Sequence, residues 1–274
     1  MGAYSLPTPR SALPLVYLIF APVSKKFHPN QQKMPPTRIL AFSSSRSGKS
    51  AYLQTAAPVI KEFLGDKALT IAFIPFASVS NSYEDYTSMV KEGLQGLPYI
   101  IETVTPANAK DLLQKAGAIM VGGGNTFKLL HDIYELKLLD RIRDLVSNGT
   151  PYIGWSAGSN ILGPGIGTTN DMPVIAPPSF NALGLFPFQI NPHYYNVKLE
   201  GFNGETRDQR LQEFITLNPG IPIVGLPEGT GLKLENDKLH FFGEVPGVLF
   251  SGAEDGMAMV KKEIAVDADI SFLL

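Results

Sequence analysis

The serine at position 156 stands between two glycines, in the sequence Gly-Trp-Ser-Ala-Gly of residues 154–158. An apolar stretch, residues 150–153, precedes it and predicts a short buried strand. At a sharp turn from that strand into a helix, the hydroxyl of Ser156 would be exposed and the next backbone N–H would be free. Small residues are needed on both sides because the chain crowds itself at such a turn. The pattern is typical of a nucleophilic serine.

A run of three glycines and an asparagine, residues 122–125, follows another apolar stretch. Glycines let the backbone approach an anion closely and point its N–H groups at it. In a parallel sheet this loop would lie beside the serine turn. The sequence therefore predicts an oxyanion hole formed by the N–H of Gly123 or Gly124 and the N–H of Ala157.

A serine nucleophile needs a base, and the chain has four histidines. His193 is the best placed of them, because it follows an apolar stretch and an Asn-Pro pair that fixes the local chain direction. The others lie in the N-terminal extension, on a predicted helix and in a predicted hairpin: His28, His131 and His240. We therefore predict His193 as the general base.

The histidine in turn needs a carboxylate that fixes its tautomer. Asp171 and Glu228 both lie in turn-like sequence and both remain candidates, with a slight preference for Asp171. The order Ser156, Asp171, His193 is that of the α/β-hydrolases. The gaps between these residues, however, leave no room for the further strand and helix which that fold places before its acid, so we set the α/β-hydrolase fold aside.

Arg207 stands at a predicted helix start. Thr206 and Gln209 have the spacing of a capping box, which puts Arg207 in the first turn of a helix over residues 207–217. A cation there opposes the helix dipole unless an anion joins it. Arginine at a helix N-terminus is a natural carboxylate receptor. Arg210 is the second candidate if the helix begins later.

The loop of residues 43–50, Ser-Ser-Ser-Arg-Ser-Gly-Lys-Ser, resembles a phosphate-binding loop. The first glycine of that motif is Ser43 here, and no later strand ends in an aspartate that could bind magnesium. An ordinary loop before an N-capped helix explains the pattern as well. Nucleotide binding through Lys49 is therefore the minor alternative.

Short apolar runs alternate with helical patterns from Arg38 to the serine turn, which predicts a parallel sheet covered by helices on both faces. The predicted strands of this part are residues 39–42, 69–74, 99–104, 118–121 and 150–153, and the predicted helices are residues 50–64, 83–94, 107–115 and 126–148, the last broken near Glu135. After Gly220 the strands are short and separated by turns, which predicts antiparallel hairpins at one sheet edge.

Composition excludes several classes of function. The chain has 274 residues and a formal net charge of -2, so it offers no basic surface for nucleic acid. It has no cysteine, and its histidines lack the spacing of a zinc site. We expect neither a metal nor an organic cofactor.

Residues 1–36 differ in composition from the rest of the chain. Their apolar part, residues 13–23, contains prolines and is too short to span a bilayer, so no membrane partner is expected. We predict a disordered or non-native extension with the true start near Met34. A single catalytic α/β domain is predicted over residues 37–274.

Taken together, the chain resembles peptidase E, the α-aspartyl dipeptidase family of serine peptidases. The matching blocks read FIPFA, VGGGNTF, GWSAGSN, TTNDMP, QINPH, GETR and LPEG, at residues 73–77, 121–127, 154–160, 168–173, 189–193, 204–207 and 226–229. The resemblance implies a fold similar to that of the class I glutamine amidotransferases, with serine where those enzymes carry cysteine. It also implies that Ser156 is the nucleophile, that His193 is the base and that Arg207 receives the aspartyl carboxylate, while Asp171 and Glu228 both stay open.

The resemblance implies that the substrates are Asp-X dipeptides, and a serine nucleophile predicts that they are hydrolysed through an acyl-enzyme. We expect the enzyme to be soluble and cytoplasmic. Its partner would be a small peptide substrate, and whether the chain forms a homodimer stays open. One alternative is a hydrolase of the same fold that acts on an aspartyl polymer such as cyanophycin. The other is a non-catalytic module that binds a ligand or a nucleotide.

Overall fold

The computed structural model describes residues 36–197, 200–201, 203–253 and 259–274. The predicted N-terminal extension and the proposed start at Met34 lie outside the described residues. The strands are β1 Ile39–Phe42, β2 Leu69–Ile74, β3 Tyr99–Thr103, β4 Ala118–Val121, β5 Tyr152–Trp155, β6 Gln189–Pro192, β7 Ile223–Leu226, β8 Thr230–Glu235, β9 Lys238–Gly243, β10 Gly247–Gly252 and β11 Met259–Ile264. The helices are α1 Ala56–Leu64, α2 Tyr83–Gly93, α3 Ala109–Lys115, α4 Thr126–Glu135, α5 Leu139–Ser147, α6 Ala157–Asn160 and α7 Arg207–Leu217, followed by a 3-10 turn at Ser271–Leu273.

The first sheet has the strand order β3-β2-β4-β5-β1-β8-β9. The five strands from β3 to β1 run parallel, and β8 and β9 join antiparallel at the β1 side. Strands β1, β4 and β5 are buried along their whole length. Strands covered on both faces read as continuous apolar runs, which is why the sequence revealed them.

Helices cover both faces of the first sheet. Alternate residues of each strand point to opposite faces, so Leu40 packs with α1 and α2, while Ile39 and Ala41 pack with α3, α4 and α5. The predicted α/β class with a mostly parallel sheet between helices is confirmed. The break predicted near Glu135 is also present, because α4 ends there and Lys137 adopts a positive φ of 55°.

The second sheet was not predicted. It has the order β11-β10-β7-β6, with β6 parallel to β7 and the other pairs antiparallel. Of the predicted edge hairpins, only β8–β9 joins the first sheet. The prediction that the strands after Gly220 lie at an edge of the first sheet is wrong for β7, β10 and β11, because alternation along a strand reveals its buried face but not which strand it pairs with.

The helix predicted from Ser50 begins later, at Ala56. Turns occupy the intervening residues, and the backbone N–H groups of Ser50 and Leu53 bond to the carbonyls of Ser47 and Ser45. Leu53 has a φ of 56° there. Polar side chains that bond to nearby backbone groups favour such turns over a helix.

The carboxyl ends of β1, β4 and β5 meet at one edge of the first sheet, where the chain is crowded. A Cβ on Gly154 would lie 2.6 Å from the carbonyl oxygen of Gly158, and one on Gly158 would lie closer still to the carbonyl oxygen of Val121. These contacts explain why only glycine fits on either side of the serine turn. Among the described residues, no helix is both long and apolar enough to cross a membrane.

We expect Gly158→Ala to destabilise the protein by about 3 kcal/mol, because the obstacle is backbone and cannot rotate away. For a chain of this size the melting temperature should fall by roughly 6–12 °C, measured by calorimetry. Gly220→Ala is the matched control, since a Cβ there meets nothing within 4 Å. Equal melting temperatures for the two variants would show that the turn is not sterically restricted.

Candidate active site

Ser156 occupies the turn between β5 and α6 with φ 53° and ψ -115°. Positive φ is uncommon for a residue with a side chain and is retained where the surrounding structure imposes it. The N–H of Ser156 donates to the carbonyl of Phe42 at 3.2 Å, and its carbonyl accepts from Asn160 at 2.9 Å. These bonds anchor the turn to β1 and α6.

His193 follows the end of β6 and also has a positive φ, of 52°. Its Nε2 lies 2.9 Å from Oγ of Ser156. The imidazole is 41% exposed, so the site is open to solvent on one side. The serine from the first sheet and the histidine from the second sheet therefore form one hydrogen-bonded pair.

Glu228 completes the arrangement. Its Oε1 lies 3.0 Å from Nδ1 of His193. The two residues come together because β6 and β7 are parallel neighbours in which Pro192 pairs with Leu226, so both chains leave the sheet at the same edge. The Glu228 side chain is 57% exposed.

Ser43 connects the two sheets beneath this pair. It follows β1, is fully buried, accepts from the N–H of His193 at 2.9 Å and donates to the carbonyl of Leu226 at 2.8 Å. One hydroxyl thus holds the chain segments that carry His193 and Glu228. Ser43 was not predicted as a site residue. The available signal was a small hydroxyl directly after a central strand, at the edge where ligands bind in parallel sheets.

Asp171 bonds to residues other than His193. Its Oδ2 accepts from the backbone N–H of Thr126 at 2.7 Å, at the start of α4, and from the hydroxyl of Thr169 at 3.2 Å. A carboxylate is favoured there by the helix dipole and by the unpaired N–H groups of the first turn. The slight preference for Asp171 as partner of His193 therefore disagrees with the geometry, which favours Glu228.

The glycine loop lies against the serine turn, as expected. A Cβ on Gly123 would be 2.8 Å from Cβ of Ser156, and Gly124 has φ 134° with no room for a side chain beside Ala77. Among the hydrogen bonds of the described residues, none uses the backbone N–H of Gly123, Gly124 or Ala157. These N–H groups are available to an anion next to the serine hydroxyl.

Arg207 is the first residue of α7, and the predicted capping box between Thr206 and Gln209 is confirmed. Burial lowers the pKa of the half-buried Arg207 guanidinium, and neighbouring Arg210 lowers it further. Within the described ranges, the guanidinium of Arg207 has no hydrogen bond or salt bridge, whereas that of Arg210 lies 3.7 Å from a carboxylate oxygen of Glu205. A partly desolvated guanidinium in this setting favours an anionic ligand.

The loop of residues 43–50 does not have the setting of a phosphate site. Ser43 uses its hydroxyl within the protein, and α1 begins only at Ala56, so no helix N-terminus follows Lys49 directly. In the part of the chain that the structure describes, no group of three or more His, Cys, Asp or Glu residues could hold a metal ion.

The model of peptidase family S51 matches residues 39–242 of this chain. The chain belongs to peptidase family S51. Peptidase E of Nostoc sp. strain PCC 7120 is 48% identical over 238 residues, covering 86% of this chain and 96% of that protein. Peptidase E of Shewanella amazonensis is 47% identical over 238 residues, covering 86% of this chain and 99% of that protein.

Two solved structures share the fold. A putative peptidase E protein from Listeria monocytogenes EGD-e superposes with a TM-score of 0.60 at 23% identity, covering 77% of this chain and all of that one. A peptidase from an acI-B1 Actinobacterium gives a TM-score of 0.62 at 17% identity, covering 87% of this chain and 98% of that one.

The family confirms that the chain is a peptidase, and it confirms the resemblance seen in the sequence. Relatives of nearly equal length named peptidase E support a serine dipeptidase. They do not favour the polymer hydrolase or the non-catalytic module.

We expect Asp171→Asn to lower the free energy of unfolding by about 1–2 kcal/mol, because α4 loses a charged partner at its first N–H. Turnover should stay within about tenfold of the wild type, since the carboxylate bonds away from His193. Asp66→Asn, on an exposed carboxylate, is the matched control for stability. A loss of about 10³ in kcat at unchanged stability would show that Asp171, and not Glu228, is the carboxylate that acts with His193.

Proposed function

We propose that this peptidase is a serine dipeptidase that removes aspartate from the N-terminus of Asp-X dipeptides. The observation that carries the proposal is the chain of contacts from Ser156 Oγ through His193 to Glu228, at 2.9 and 3.0 Å. A hydroxyl, an imidazole and a carboxylate in this order are the parts of a nucleophilic triad, whatever their order in sequence.

In the proposed acylation step, Nε2 of His193 takes the proton of the Ser156 hydroxyl while Oγ attacks the peptide carbonyl carbon. The tetrahedral intermediate collapses with rupture of the C–N bond, and His193 returns the proton to the leaving amine. Water then attacks the aspartyl ester, again losing its proton to His193, and aspartate and free Ser156 are released.

Glu228 would hold the Nδ1–H tautomer of His193, which leaves Nε2 free to accept the serine proton. It would also stabilise the imidazolium that forms during each step. Because the Glu228 side chain is exposed, water screens its charge, and its electrostatic effect on His193 is weaker than that of a buried carboxylate would be. The positive φ of His193 fits this role, because the strained turn directs the ring between the two partners.

The N–H groups of Gly124 and Ala157 would stabilise the oxyanion, with Gly123 as the neighbouring donor. Gly123 and Gly124 lie so close to Ser156 and Ala77 that no side chain fits at either position, and Ala157 directly follows Ser156. Preorganised donors of this kind need no rearrangement as the charge develops.

Arg207 would recognise the aspartyl side chain. Its guanidinium is partly desolvated, and burial lowers its pKa. Arginine nevertheless stays protonated in proteins, so the group carries a positive charge. A carboxylate would relieve the unfavourable burial of this charge, whereas an amide or alkyl group in the same volume would not. This difference is the proposed basis for selecting aspartate.

Small Asp-X peptides are accordingly the proposed partners. We further infer a cytoplasmic location, which the absence of cysteine and the ordinary charge balance support. The proposed reaction requires neither a metal nor an organic cofactor, since each of its steps uses side chains and backbone groups of this chain.

The proposed function is tested by hydrolysis of Asp-Leu, Glu-Leu, Asn-Leu, Leu-Leu and N-acetyl-Asp-Leu with the wild type and with Ser156→Ala. We expect cleavage of Asp-Leu alone or in large preference, and a loss of about 10⁴ or more in kcat in the variant. Unchanged melting temperature would serve as the control for folding. Activity of Ser156→Ala within about tenfold of the wild type would contradict the proposal.

Arg207→Met should lower kcat/KM for Asp-Leu by about 10³ or more while barely changing the slow reaction with Asn-Leu. Arg207→Lys should recover only part of the loss, because an ammonium group cannot form the bidentate contact. Arg210→Met is the matched control on the same helix and should have a smaller effect. Equal losses on Asp-Leu and Asn-Leu would mean that Arg207 supports the fold and does not select the substrate.

A further inference from the structure

The hydroxyl of Tyr86 bonds to the glycine loop beside the nucleophile. Tyr86 lies on α2 and is 7% exposed. Its hydroxyl donates to the carbonyl oxygen of Gly123 at 2.9 Å and accepts from Nε1 of Trp155 at 3.2 Å. Trp155 directly precedes Ser156, so this one hydroxyl connects the serine turn to the loop opposite it.

The bonded carbonyl belongs to the peptide whose N–H is that of Gly124. A peptide group is planar, and in the trans form its C=O and N–H point in opposite directions. Fixing the direction of the Gly123 oxygen therefore fixes the direction of the Gly124 N–H. Among the described residues, Tyr86 is the hydrogen-bond partner of this peptide group, whose own N–H is free.

The need for such a contact follows from the glycines. Three glycines in a row leave the backbone dihedral angles of the loop weakly restricted. Gly124 adopts a φ of 134°, a conformation that residues with a side chain rarely adopt. The flanking bonds hold the N–H of Gly122 to Ile74 and that of Asn125 to Ala77. They leave the peptide between Gly123 and Gly124 to be oriented by other means.

The surroundings keep the Tyr86 hydroxyl in place. A Cβ on Gly122 would lie 2.6 Å from it, so only glycine admits the hydroxyl there. The ring packs edge-on against Phe73, with centroids 5.1 Å apart, and Phe73 stacks on Trp155 at 5.9 Å. Burial raises the pKa of Tyr86, so the hydroxyl remains protonated and able to donate.

We infer that Tyr86 is a positioning residue for the reaction: through Gly123 it aims the Gly124 N–H at the oxyanion. The hydrogen bonds run in one direction, from Trp155 to Tyr86 to Gly123, and each donor polarises the next, which makes the Gly124 N–H a stronger donor. This inference rests on the proposed role of that N–H. Tyr86 itself does not touch the substrate.

The test compares Tyr86→Phe with Tyr52→Phe. Tyr52 packs edge-on against both Tyr86 and Trp155, and its buried hydroxyl lies beside their polar groups without being a member of the bonds that run from Trp155 through Tyr86 to Gly123. Tyr52→Phe therefore removes a hydroxyl from the same aromatic cluster without breaking the chain of bonds. Melting temperatures of both variants report any general loss of packing.

Two rates are measured, kcat on Asp-Leu and the rate at which a small alkyl fluorophosphonate labels Ser156. In labelling, Oγ attacks phosphorus, fluoride leaves, and His193 takes the serine proton. The phosphoryl oxygen needs the oxyanion donors but no aspartyl pocket, so this rate is independent of substrate selection.

We expect Tyr86→Phe to lower both rates by about tenfold, which is part of the 10²–10³ that loss of a whole donor costs. KM should stay within about twofold of the wild type, and Tyr52→Phe should leave both rates within about twofold. A tyrosine with only a structural role would lower the melting temperature without lowering both rates at unchanged KM.

If Tyr86→Phe is not obtained as soluble protein, Gly122→Ala, which displaces the same hydroxyl, should lower both rates instead.

The inference is overturned if Tyr86→Phe labels at the wild-type rate, if KM rises at unchanged kcat, or if Tyr52→Phe loses as much as Tyr86→Phe. Those results leave the proposed function intact, provided that the wild type is labelled at Ser156. A wild type that is labelled but does not cleave Asp-Leu contradicts only the proposed substrate. Absence of labelling at Ser156 in the wild type overturns both.

Discussion

The contact between Ser156 and His193 joins two sheets, and the rest of the site depends on keeping the relative position of those sheets fixed. Ser156 ends a strand of the first sheet, whereas His193 and Glu228 leave neighbouring strands of the second. The buried hydroxyl of Ser43 bonds to both segments of the second sheet from the end of β1. A small shift between the sheets would separate nucleophile from base, so the hydrogen bonds at this seam set the geometry of the chemistry.

Close approach of backbone segments is the second constraint, and it explains the glycines. Gly158 lets the serine turn pack against β4, Gly154 lets α6 approach β5, and Gly123 lets the glycine loop pack against Ser156. In the part of the chain that the structure describes, the N–H groups of Gly124 and Ala157 beside Ser156 have no hydrogen-bond acceptor. The hydrogen bonds from Trp155 to Tyr86 and from Tyr86 to the Gly123 carbonyl then restrict a loop that glycines alone would leave free to rotate.

Much of this could be predicted from the sequence, because its signals are local. Continuous apolar runs predicted β1, β2 and β4, the spacing of Thr206 and Gln209 predicted the start of α7, and the Gly-Trp-Ser-Ala-Gly sequence predicted the turn that carries Ser156. The remainder depends on contacts between distant segments. The partner of His193 is decided by the pairing of Pro192 with Leu226, and the second sheet by the pairing of β7 with β10, neither of which alternation along one strand can specify.

The central claim is that Glu228 acts through His193, as part of one unit with Ser156. The direct measurement is a double-mutant cycle of kcat with Glu228→Gln, His193→Ala and the double variant. If the claim holds, Glu228→Gln lowers kcat by about 10²–10⁴ in the wild type and has almost no effect once His193 is absent. If Glu228→Gln lowers kcat by the same factor on both backgrounds, the carboxylate acts independently of the histidine and the proposed triad is wrong.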